Sequence, residues 1–109
     1  MPSELRKILF DPGEVQTAAL SYCIRAQVYF PEGSLDGIEV ENDPERTVVM
    51  KFSPKDPADP REVILSREQV AAALIRFCLE HQIPIPKDAQ KVLKLEDTGI
   101  AMLINRDWK

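Results

Sequence analysis

Apolar positions along the chain follow two periods, and the same succession of patterns is met twice. Ile8-Leu9-Phe10 is a short, partly β-branched apolar run of the kind that forms a strand. It leads straight into Asp11-Pro12-Gly13-Glu14, which supplies an N-cap acceptor, a Pro at the first helical position and a Glu two residues on to close a capping box. A helix over about Pro12 to Gln27 follows. Its buried stripe is Val15, Ala18, Ala19, Tyr22, Cys23 and Ala26, at spacings of three and four. Ile38 and Val40, then Val48, Met50 and Phe52, alternate with polar neighbours around Asn42-Asp43-Pro44-Glu45. That alternation and turn chemistry predict a hairpin.

The second passage repeats each step. Val63-Ile64-Leu65 precedes Ser66-Arg67-Glu68-Gln69, the same capping box made with Ser and Gln. A helix from about Arg67 to His81 shows Val70, Ala73, Leu74, Phe77 and Cys78 on one face. Ala71, Ala72, Ile75 and Leu79 make it apolar round more of its surface, so it is expected to be the more buried of the two. Pro84 and Pro86 stop it, and Pro31 does so more weakly in the first passage. Val92 to Leu95 and Ile100 to Ile104 then flank the turn Glu96-Asp97-Thr98-Gly99.

Sliding the chain along itself by 55 positions lays Val15 over Val70, Tyr22 over Phe77, Cys23 over Cys78, Gln27 over Gln82, Val28 over Ile83 and Pro31 over Pro86. Ile38 and Val40 fall on Leu93 and Leu95, after which the register slips in a turn by about two residues. The chain therefore reads as a duplication, with units of about 6–52 and 61–105. Between them Ser53-Pro54-Lys55-Asp56-Pro57-Ala58-Asp59-Pro60 cannot be helix or central strand. This connector, 53–60, is too short to link independent domains. The expected architecture is α+β: one domain over 1–109 made of tandem βαββ repeats, with an antiparallel sheet and two helices packed on one face. Thr47 to Phe52 pairing with Arg61 to Leu65 would join the halves into one sheet. Duplication defines the units and leaves the strand order open.

Length and composition change this picture little. With 109 residues, 44% hydrophobic and 29% charged, the chain suits one folded domain. No stretch reaches the roughly 20 apolar residues of a membrane helix. The opening Met1-Pro2-Ser3-Glu4-Leu5-Arg6-Lys7 lacks the apolar core of a signal peptide. A cytoplasmic protein with no membrane partner is the expectation. The net charge of −4 argues against a nucleic-acid module, whose affinity rests on Lys and Arg. Lys87, Lys91, Lys94, Arg106 and Lys109, with Trp108 as a stacking ring, form only a mild basic bias.

Candidate chemistry is sparse. Cys23 and Cys78 fit neither a disulfide framework nor a zinc spacing and read as small buried hydrophobes. His81, the single histidine, suits the negative end of a helix dipole. The acidic run Glu32, Asp36, Glu39, Glu41, Asp43 and Glu45 lacks the pattern of a calcium loop and reads as a solvated face. The four glycines are scattered singly, and no phosphate cradle, nucleophile elbow or paired-histidine motif occurs. No catalytic residue, metal ligand or cofactor is implied.

The function expected from these residues is a non-catalytic interaction or assembly module, binding a protein partner or itself as a homodimer. The contact would be a sheet edge, or a patch from Val49, Leu93, Ala101 or Leu103 on an otherwise polar face. The alternative is a small-molecule binder or small enzyme with its site between the repeats. Its candidate residues are Tyr22, Gln27, Phe77, His81 and Gln82. For the two glutamines, a plain role at the helix ends competes with ligand binding.

Overall fold

A computed structural model describes residues 2–108. The elements run β1 (Ser3–Phe10), α1 (Pro12–Ala26), β2 (Gly33–Val40), β3 (Val48–Pro54), β4 (Glu62–Leu65), α2 (Arg67–Glu80), β5 (Gln90–Glu96) and β6 (Gly99–Asp107). The fold is α+β, with two βαββ units in tandem. Both helices begin as their sequences require. The Asp11 carboxylate accepts from the Glu14 N–H while the Glu14 carboxylate accepts from the Asp11 N–H, and Ser66 and Gln69 do the same.

The helices also end by one shared device. Gln27 and Gln82 both adopt the left-handed conformation, at φ 57° and 59°. The next residue, Val28 or Ile83, donates its N–H to the carbonyl of Cys23 or Cys78, at 2.9 and 2.8 Å. This is the Schellman arrangement, in which the residue after the left-handed one packs back on the last turn. Val28 and Ile83 pack against the core accordingly. The repeated Cys, Gln and Val/Ile thus belong to one helix stop.

Strand pairing exchanges the halves. The strands form two three-stranded antiparallel sheets, in the orders β1-β6-β5 and β2-β3-β4. Each consists of one repeat's hairpin and the other repeat's first strand. The pairing of β3 with β4 across the proline connector is present, Val48 opposite Leu65 and Met50 opposite Val63. It does not merge everything into one sheet, because β1 crosses to lie against β6, with Phe10 opposite Ile100. Neither repeat completes a sheet alone, so each depends on the other.

The hairpins differ in length. Val40 pairs with Val48, but Leu95 pairs with Ile100, which moves the offset between repeats from 55 to 52 and sets the slip at three residues. The shorter turn needs Gly99: at φ +144° a Cβ there would stand 1.9 Å from the Phe10 carbonyl oxygen, a position open only to glycine.

Buried residues of both repeats form one core cluster. Four helical positions repeat in it: Val15 with Val70, Ala18 with Ala73, Ala19 with Leu74, and Cys23 with Cys78. The helices pack on one another. The second is scarcely more buried than the first: each buries four residues, and Leu79 is 63% exposed where its equivalent, Ile24, is 68% exposed. Strand ends next to the helices are buried, at Phe10, Leu65, Val48 to Met50 and Ile100 to Met102, whereas Ser3 to Leu5 and Gly33 to Ser34 are exposed. The molecule is elongated, 58 × 25 × 21 Å.

Candidate functional site

Of the five candidate residues, the structure brings two together. The Phe77 and His81 rings lie 4.1 Å apart, and Phe77 meets Phe10 edge-on at 5.9 Å. With Ile83 they form one wall of an open groove of about 540 Å³, whose other wall is Asp11, Gly13, Glu14 and Thr17 at the start of α1. Both repeats therefore contribute to it. Tyr22 is half-buried against the core, and Gln27 and Gln82 are exposed at the helix ends; none of the three lines the groove. Asp11 and Glu14 were not anticipated as lining residues, because their carboxylates are explained by the capping box. Each accepts a backbone N–H there through one oxygen.

The thiols are chemically quiet. Cys23 and Cys78 are both free and buried, and burial pushes both thiols up from their ordinary value. Arg6 opposes this slightly at Cys78; its guanidinium also donates to the Pro84 carbonyl at 2.7 Å. A raised pKa leaves little of the nucleophilic thiolate at neutral pH. Among the described residues no three His, Cys, Asp or Glu side chains gather as a metal-holding group. No helix among the described residues is long and apolar enough to cross a membrane.

Among the described residues three carboxylates of the acidic run, and Arg106 of the basic group, are ion-paired. Glu32 pairs with Lys55 at 3.1 Å, Glu41 with Arg46 at 3.6 Å and Glu39 with Lys51 at 3.8 Å. Asp36 accepts from Ser34 and Ser53. Arg106 pairs with Asp88 at 3.5 Å and lies 4.1 Å over the Trp108 ring, so the ring is covered on that side. Lys109 lies outside the described residues.

The two sheets differ most in the faces turned away from the core. Antiparallel partners share a face, so the register lists the rows. On β2-β3-β4 they are Gly37, Lys51 and Glu62, then Glu39, Val49 and Ile64. Lys51 bonds Glu62, and Arg46 reaches both Glu41 and Glu62. On β1-β6-β5 the equivalent rows are Val92, Leu103 and Lys7, then Lys94, Ala101 and Leu9. Leu5 follows in a third row, with Asn105 and Gln90. Lys51 is thus replaced by Leu103, and Gly37 by Val92. Leu5, Leu9 and Val92 are 72%, 48% and 58% exposed. The Lys7–Glu96 ion pair spans the row of Ala101, which is fully buried. Of the patch residues expected from sequence, Leu103 and Ala101 lie on this face. Leu93 packs toward the core, and Val49 is buried on the other sheet.

No protein-family model matches the chain, and comparisons with curated proteins and with solved structures likewise find no match.

Proposed function

We propose that the protein is a non-catalytic assembly module that self-associates through the outer face of the β1-β6-β5 sheet. The supporting observation is the contrast between equivalent faces: one carries an ionic lattice on Lys51 and Glu62, the other Leu103, Val92, Leu9 and Leu5. An apolar patch of this size alone is common on monomers. The replacement of the ion-paired Lys51 by Leu103, and of Gly37 by Val92, in a duplicated scaffold is what singles it out.

A second copy is the occupant that the charges favour. Lys7, Lys94 and Glu96 share the face with the apolar residues, so a twofold partner presents both signs to both signs. Strands about 4.8 Å apart, rising about 3.3 Å per residue, give a footprint on the order of 400 Å². A standard interface buries about 800 Å² per partner. An interface of that size belongs with weak, transient associations. Sedimentation equilibrium of the wild type beside Leu103→Glu is the test.

A second reading, small-molecule binding, is favoured by the groove between Asp11 and His81. Its imidazole stands where the first repeat has Ala26, and it is held on Phe77. Retained mass above an integer number of chains in a native mass spectrum would favour this reading.

A further inference from the structure

On the outer side of α2, Ile75 and Leu79 line an apolar groove of about 280 Å³ with Ile85 and Pro86, and Lys87 and Lys91 stand on its rim. Leu79 is 63% exposed there. The apolar walls repeat in the first half as Leu20, Ile24, Phe30 and Pro31, but Glu32 takes the place of Lys87. That Glu32 is paired with Lys55. Among the described residues neither Lys87 nor Lys91 is ion-paired; Lys91 donates to the Ala89 carbonyl at 3.1 Å. In a chain of net charge −4, two unpaired lysines beside one apolar groove are a local inversion of the field.

We propose that this groove docks an acidic amphipathic segment of a partner protein, seating an apolar anchor side chain between Leu79 and Ile85 while its carboxylates meet Lys87 and Lys91. The groove is small, about 280 Å³, and its polar groups are two lysines, one sign of charge only, which favours a carboxylate-bearing occupant. An anchor residue on a helix needs little more than an apolar slot and a charged rim. An anionic membrane fits less well, because insertion calls for apolar side chains on a protruding surface and the net charge opposes approach. The groove is independent of the sheet-face association.

The test is fluorescence anisotropy with a labelled amphipathic peptide bearing Leu at alternating spacings of three and four and Glu beside them. A second peptide carries Lys for Glu, and vesicles containing phosphatidylserine serve as the membrane probe. Saturable binding of the acidic peptide is expected, weakened about tenfold or more by Leu79→Ser and by Lys87→Glu and unchanged by Leu103→Glu. Leu79 and Lys87 are exposed, and unaltered thermal melts would show that both variants fold. Equal binding of the two peptides, no saturable binding, insensitivity to both substitutions, or binding to the vesicles in place of the peptide would each overturn the proposal.

Discussion

Arg25, near the end of α1, is ion-paired at 3.2 Å with Glu80, the residue that holds its own position in the second repeat. A residue reaches its own equivalent only close to the axis that relates the copies, so this pair marks the junction of the halves. Glu80 is shared with Arg76 at 3.3 Å, one turn earlier on α2. Both ends are substantially exposed, so the pair contributes less than about 1 kcal/mol. Arg25→Glu is expected to lower stability by about that much in urea unfolding. Adding Glu80→Arg should recover only part of the loss, because Arg76 then faces a like charge. Full recovery would mean that Arg76 does not share Glu80.

Gln27 and Gln82 hold left-handed backbone that glycine adopts at less cost. If their work is to turn the chain, Gln27→Gly and Gln82→Gly should each stabilise the fold by about 1 kcal/mol or less, the relief of left-handed strain less the entropy glycine adds to the unfolded chain. Chemical denaturation decides it. Destabilisation by either change would assign the side chain a contact of its own.

Buried thiols with raised pKa values should react slowly with a disulfide reagent such as Ellman's in the native protein, and both promptly in denaturant. Prompt native reaction of either would contradict the packing around the helix stops.

Glu62 and Glu96 are held below the ordinary carboxylate value of 4.5 by hydrogen bonds and charge from Lys51 and Lys7. A depressed folded-state pKa contributes stability above the unfolded value that is lost as pH falls through the folded one. The urea midpoint should therefore decline as pH falls below about 5. Lys7→Gln and Lys51→Gln should each make that decline shallower. An unchanged pH profile in both variants would remove these pairs from the account.

Much of the fold was legible in the chain. The capping boxes at Asp11 and Ser66 and the alternation at Val48, Met50 and Phe52 are local signals with local causes, whereas Ser53 and Pro54, read as connector, continue β3 opposite Ser34 and Gly33 at the end of the strand. The strand exchange was not, because whether β1 pairs with its own hairpin or the other repeat's depends on how the halves pack. The length of β1 was missed for a related reason: Ser3 to Lys7 is mostly polar and becomes strand by pairing with Leu103 to Asp107. At the candidate groove, Phe77 and His81 were visible as helix-end residues, while Asp11 and Glu14 join them only because the start of α1 lies beside the end of α2. The apolar face showed itself in part through Leu103. Leu5, Leu9 and Val92 needed the register of β1-β6-β5 to become neighbours.

The most direct measurement is sedimentation equilibrium of the full chain from low micromolar to high micromolar concentration, with Leu103→Glu and Lys51→Glu alongside. The expected result is a reversible monomer–dimer equilibrium, abolished by Leu103→Glu and retained by Lys51→Glu on the ionic face. A wild type that stays monomeric throughout, or a dimer that Leu103→Glu leaves intact, would contradict self-association through the β1-β6-β5 face.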